Sequence, residues 1–460
     1  MSSGIRDFTK GSVTAQILRF ATPLFFCNFI QIIYNTADMF IVGQVHGKTG
    51  ISAVSVGGDL CNLLTFVAIG FSNAGQVLVA KLIGGGKREK LGKFTGTISS
   101  FFLISALLIS IVSIIFQDAL LKFMKTPEEA YTFASEYSLI CMAGLVFIYG
   151  YNMVSAILRG MGDSKHPFIF VSLAAFMNII LDYVFVVLWD IGVKGAALAT
   201  VISQGVSFLL SAVFLYRKRQ HYELRAKARD FIIPDKEMLS SLIKLGIPMA
   251  IKMASVQISK LFVNSHINDY GVEVSAFAGI ANKISSTSNL FSAAMNTTGS
   301  TMAGQNIAAG EEKRVKLILK NIAAMTLGVS LTLSVLFYFF QEEIIGFFAD
   351  GDTSVIAVGE NYFSIAVLLF FASALRAVMN ALINGSGNTA VNFATAIFDG
   401  IIMRFGLAIL FGIILEMGYY GFWLGDALAG FTPFVIGSVF YISGRWKKNM
   451  PKKQEEISAS

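Results

Sequence analysis

Charge is scarce in this sequence. Asp, Glu, Lys and Arg make up 14% of its 460 residues, whereas a soluble domain carries about 25%. That scarcity excludes an ordinary water-soluble globular protein. Cysteine is rarer still: Cys27, Cys61 and Cys141 each lie within or at the edge of an apolar stretch. Their spacing fits neither a metal site nor a disulfide framework, so they read as small packing residues. The four histidines, His46, His166, His221 and His266, fall in or near loops and form no cluster. This speaks against a membrane-embedded enzyme built on paired His or a Ser/His arrangement. No Walker sequence is present, so any uphill work must draw on an ion or substrate gradient.

What is abundant is apolar. Hydrophobic residues are 55% of the chain, Phe alone contributes 41, and mean hydropathy is +0.66. Apolar stretches of roughly 20 residues recur, the length that crosses a hydrocarbon core of about 30 Å. In lipid every backbone amide must be satisfied within the segment, so these stretches are predicted to be helices. Spans are placed at 17–44, 54–80, 95–116, 133–158, 167–189 and 195–216, then at 241–267, 276–302, 315–340, 361–383, 391–415 and 419–442. The polar stretch Met1–Gly11, followed by an apolar run too long for a signal peptide's core, predicts that the first helix is retained.

The net charge of +7 invites a nucleic-acid reading, but its distribution opposes one. Basic residues sit in short alternate loops: 27 Lys and Arg fall on one side, against Lys48, Lys122, Lys125 and Lys194 on the other. Such a bias places the first side, with both termini, in the cytoplasm. The chain is expected in a bacterial or archaeal inner membrane, in contact with lipid and not with nucleic acid.

The two halves resemble each other. ATPLFF at 21–26 answers GIPMAI at 246–251, GGGKREK at 84–90 answers AAGEEKR at 308–314, and LRGMGD at 158–163 answers INGSGN at 383–388. The expected fold is therefore an all-α membrane protein of twelve transmembrane helices in two pseudo-symmetric six-helix bundles. Its parts are an amino-terminal lobe (1–216), a cytoplasmic linker (217–240), a carboxy-terminal lobe (241–444) and a basic tail (445–460). Both halves run inside to inside, a parallel repeat about the membrane normal, with substrate expected between them. GMGD at 160–163 also matches a protease motif, but its counterpart GSGN lacks the acid, which fits a repeated loop better. GGG at 84–86 follows no strand, so it makes no nucleotide site.

Ionisable groups inside a bilayer cost several kcal/mol and are functional candidates. In the first half the deep ones are Asp38 and Asp182, with Glu136 shallower. Asn178 precedes Asp182 by four residues and shares its helix face. Thr200 and Tyr137 add hydroxyl oxygens. Two buried carboxylates with an amide and hydroxyls suit a proton or Na⁺. The second half differs: Lys252, Lys260, Lys283, Arg376 and Arg404 stand against Asp399 and Asp426. One reading pairs Arg404 or Arg376 with Asp399 and lets the others snorkel to the interface. The other has Lys260, Arg376 and Arg404 line a substrate cavity and favour an anionic group.

With these residues in view, the chain resembles the multidrug and toxic compound extrusion (MATE) family along its whole length. PLFFCNFIQIIYNTADMFIVG at 23–43, LRGMGDSKHP at 158–167, and MNIILDYVFV at 177–186 leading to GAALAT at 195–200 carry the resemblance. The last is similar to the branch of the DNA-damage-inducible protein F type, whose helix 5 holds both Asn and Asp. That resemblance implies an amino-lobe cation site at Asp38, Asn178, Asp182 and Thr200, with Tyr137 adjoining and Gln31 and Asn152 facing the drug cavity. It implies efflux of organic, cationic or amphipathic compounds by H⁺ or Na⁺ antiport, with no cofactor and as a monomer. The norfloxacin-resistance branch carries acids in helices 7 and 10; here 251–262 and 371–380 hold Lys252, Lys260 and Arg376 instead. The alternative is a flippase or exporter of an anionic or lipid-linked substrate. Two extra helices, or cations in both lobes, would have favoured it, and neither is visible.

Overall fold

The computed structural model describes residues 4–124, 126–349 and 351–451. Lys125 and the tail residues Lys452 and Lys453 lie outside them. Among the described residues every regular element is helical. One run, Val13–Gly84, is broken at Gly47, where φ is 58° and ψ −148°. A side chain is strained at that φ, so glycine is the residue that turns the chain. The run therefore supplies two helices, α1 (13–46) and α2 (48–84). Arg88–Ile115 is α3. Glu128–Ala143 and Leu145–Gly160 meet at 47° and form one bent helix, α4. Lys165–Leu188 and Val193–Arg217 are α5 and α6.

The second half repeats the plan. Lys236–Asn268 is α7, Val272–Ala308 α8 and Glu312–Phe348 α9. Phe363–Ser386, Thr389–Ile414 and Gly418–Ile442 are α10, α11 and α12. Each of the twelve predicted spans falls on one of these helices, most of which run a few residues further at their ends. α8 is long enough to cross a bilayer but rich in Ser, Thr and Asn; among the described residues the others give nine apolar spans by length and composition, α1 and α2 counted together as one run, or ten with the bent pair α4.

Three stretches wind as π-helix: Tyr183–Leu188 in α5, and Phe398–Met403 and Ile409–Ile414 in α11. A π turn leaves hydrophobicity unchanged and shifts the face that each side chain presents, so the apolar pattern carries no sign of it.

The repeated loop has a local cause. Asn388 caps α11 by accepting from the Val391 amide at 3.1 Å, after a left-handed Gly387 ends α10. Asp163 caps α5 in the same way, accepting from the amides of Lys165 and His166 at 3.1 and 3.2 Å. Its other oxygen meets His166 Nδ1 at 2.5 Å and accepts from the Tyr222 hydroxyl at 2.6 Å. The acid of GMGD is thus a helix cap tied to the linker.

Contacts divide the chain into two compact units. The first holds the described residues up to Arg6, Thr22–Ile83 and Lys87–Gly246. It includes the linker, which docks on α3. Gly92 and Gly96 leave room for the linker backbone at Arg225 and Asp230, which a Cβ would meet at 2.4 and 2.5 Å. Asp235 pairs with Lys93 at 2.6 Å, and that hydrogen bond holds its carboxyl below the usual range.

The second unit holds Asp7–Ala21, Gly84–Gly86 and the chain from Ile247 onward. Residues 7–21, assigned by sequence to the amino-terminal lobe, therefore pack with the second unit. Arg314 explains why: its guanidinium donates to the carbonyls of Phe8, Gly11 and Lys10 at 2.6, 2.8 and 2.9 Å. Gln305 accepts from the Phe8 amide at 3.0 Å.

Candidate cation site and its counterpart in the second unit

In the first unit Asp38 on α1, Asn178 and Asp182 on α5, and Thr200 on α6 come together. The Thr200 hydroxyl donates to Asp38 Oδ2 at 3.4 Å, and Asn178 Nδ2 donates to Thr200 Oγ1 at 3.4 Å. Asp38, Asn178 and Asp182 are all buried, at 3, 2 and 0% exposure. The Asp38 and Asp182 carboxyl groups lie within hydrogen-bond reach of each other. Asp38 Oδ1, Asn178 Oδ1 and both Asp182 oxygens have no hydrogen-bond donor among the described residues. The cluster is thus rich in acceptors and poor in donors. Asp182 is the last residue before the first π turn, so its direction depends on that local rewinding.

Tyr137 is buried against Gly57, where a Cβ would meet its ring at 2.6 Å, and stands within electrostatic reach of both acids. Two members escaped the sequence reading. Tyr34 lies within reach of Asp38 and hydrogen-bonds Gln204. With Asn178, Thr200 and Ser203 they line a cavity of about 10 Å³, close to one water. Tyr34 is four residues before Asp38 and Gln204 four after Thr200, so helical spacing applied to the site residues would have found both. Gln31, one turn before Tyr34, is half-buried. Asn152 donates its amide to the Ile148 carbonyl at 2.9 Å.

The second unit holds a polar cluster within one residue of the corresponding repeat positions. Tyr362 lies 225 positions after Tyr137, while Arg404 and Asp426 lie 226 after Asn178 and Thr200. Here the protein supplies the cation. Arg404, 2% exposed, pairs with Asp399 at 3.4 Å and closely with Asp426. Arg376 donates to the amide oxygen of Asn289 at 2.6 Å, and Lys252 to that of Asn380 at 2.6 Å. Of the two arginines considered for Asp399, Arg404 takes it, and Arg376 has a neutral partner. Lys260 lines a cavity of about 30 Å³ with Asn264, Asn282, Ser285, Tyr362 and Asp426.

Comparison with known proteins agrees with this architecture. The MatE family profile matches residues 23–184 and 248–417, one stretch in each half. The chain is 27% identical over 447 residues to a probable multidrug resistance protein of Bacillus subtilis, YpnP, covering 96% of this chain and 97% of that one. It is 23% identical to the probable multidrug resistance protein NorM of Thermotoga maritima, covering 97% and 96%. An outward-facing multidrug resistance MATE transporter of the MOP superfamily superposes with a TM-score of 0.89, at 23% identity, over 98% of this chain and all of that one. A MOP superfamily transporter from Pyrococcus furiosus, described as having a binding pocket of reverse polarity, superposes with a TM-score of 0.87 at 23% identity, over 96% and 99%.

Proposed function

Because the chain belongs to the MatE family of multidrug efflux transporters, we propose that it exports organic compounds by antiport, with H⁺ or Na⁺ coupled through Asp38 and Asp182. Small organic molecules, cationic or amphipathic, are the cargo. The two units alternate access across a bacterial or archaeal inner membrane, with both termini cytoplasmic as the 27-to-4 distribution of Lys and Arg implies. The acids of α1 and α5, with Asn178 and Thr200, fit the branch of the DNA-damage-inducible protein F type.

The observation that carries this reading is the excess of acceptors. Two carboxylates in contact inside a membrane repel unless positive charge lies between them. A shared proton meets that need. So does Na⁺, held by the oxygens of Asp38, Asp182, Asn178 and Thr200, since hard cations prefer oxygen ligands. Losing the cation restores the repulsion and favours separation of α1 from α5. The bound cation thus has a differential affinity for two states, which coupling requires. Tyr137, Tyr34 and Gln204 hold the surrounding wall. Gln31, Asn152, Lys260 and Arg376 are assigned to the cargo path, and Arg404 supports the second unit.

The test is ethidium transport in proteoliposomes with pH and Na⁺ gradients imposed separately. The effective gradient identifies the ion. Asp38→Asn and Asp182→Asn are expected to reduce gradient-driven flux to the leak of empty liposomes, while Thr200→Ala weakens the dependence on the ion. Undiminished flux in Asp38→Asn would overturn the mechanism.

A further inference from the structure

The charges of the second unit's deep polar cluster do not balance. Lys252, Lys260, Arg376 and Arg404 lie within electrostatic reach of two acids, Asp399 and Asp426. Both acids are already engaged by Arg404. Arg376 and Lys252 have amide oxygens as partners. Among the described residues the Lys260 ammonium has neither a hydrogen bond nor an ion pair within 4 Å, and it faces the cavity described above. Lys252, Lys260 and Arg376 are half-buried; partly desolvated cations without counter-charge are costly, and an anion entering their field offsets that cost.

The cavity limits what that anion is. About 30 Å³ holds two or three water-sized groups, enough for a carboxylate and too little for a drug-sized molecule. Donors line it: the Lys260 ammonium, the amides of Asn264 and Asn282, and the hydroxyl of Tyr362, while the Ser285 hydroxyl donates to the Asn282 carbonyl at 3.0 Å. Asp426 also faces it, and its carboxylate opposes a second negative charge there. Trp423 and Leu369 supply an apolar wall.

We infer that this cavity is a head-group subsite for the carboxylate of an amphipathic organic monoanion, held by Lys260 in the field of Arg376 and Lys252. It deepens the efflux reading by naming a class of cargo, and rests on that reading only for the anion being transported.

Dansylglycine and dansylamide share a fluorophore and differ in the carboxylate, and Trp423 in the wall serves as energy donor to either. In detergent-solubilised full-length protein, dansylglycine is expected to bind at least 10-fold more tightly than dansylamide. Benzoate, but not benzamide, should displace it. Lys260→Gln should remove the preference and Lys260→Arg retain it. Equal binding of the two probes to the wild type would overturn the proposal, whether or not the variants fold. So would an unchanged preference in folded Lys260→Gln. Asp38→Asn separates the two readings: it should abolish gradient-driven ethidium flux and leave the dansylglycine preference intact. Loss of the preference with Asp38-dependent flux preserved would end the subsite alone.

Discussion

At the scale of single residues, the same chemical type plays opposite parts in the two halves. Asp38 and Asp182 lie within reach of each other, and three of their four oxygens lack donors; the Asp399 oxygens lack hydrogen bonds too, but that carboxylate has an ion pair. Asp399 and Asp426 share a guanidinium. A carboxylate pair with a tethered cation has no need of a mobile one, which is why the proposed exchange of H⁺ or Na⁺ is assigned to the first unit. Arg404 is correspondingly critical to stability. Truncating one member of a buried ion cluster leaves uncompensated charge and costs about 3–5 kcal/mol. Arg404→Ala is expected to lose stability on that scale in detergent, and Arg404→Lys to recover part of it. A thermal midpoint unchanged in Arg404→Ala would show that the pairing contributes nothing.

At the scale of elements, close helix contacts explain the repeated glycines. A Cβ at Gly160 would meet Val79 at 2.6 Å and the Gln76 carbonyl at 2.8 Å, which holds α4 against α2. At the matching position in the second half, a Cβ on Gly385 would meet Ala303 and the Ser300 carbonyl at 2.9 Å, between α10 and α8. Backbone cannot yield as a flexible side chain does, so overpacking here costs about 1–3 kcal/mol. Gly385→Val should lower the thermal midpoint. Gly328→Ala in α9, with nothing within 4 Å of the added carbon, should leave it equal or higher, because Ala favours a helix by about 1 kcal/mol over Gly. Equal effects at the two sites would refute the packing argument.

At the scale of the whole molecule, duplication kept the helices and let the chemistry diverge. Two six-helix units carry a matching capped loop, and the deep polar cluster of one is acidic while that of the other holds more bases than acids. Orientation in the membrane is testable at this scale. Native cysteines are buried, so a bulky impermeant maleimide should report on introduced ones. Arg229→Cys in the exposed linker should react only when the cytoplasmic face is accessible. Lys122→Cys on the opposite side should react in intact cells. The reverse pattern would invert the topology.

The sequence alone determined the number and order of the helices, because hydrophobicity summed over about 20 residues is a local property of the chain. It also marked Asp38 and Asp182, since an ionisable group in an apolar span stands out without any knowledge of its neighbours; Asn178 followed from its spacing to Asp182, and the family resemblance grouped Thr200 with them. Tertiary structure alone decided which groups meet. Arg404 rather than Arg376 took Asp399, residues 7–21 joined the second unit through Arg314, and Tyr34 and Gln204 closed around the acids. Pairings of that kind depend on π turns and helix contacts between distant segments, neither of which alters the apolar pattern that sequence reading relies on.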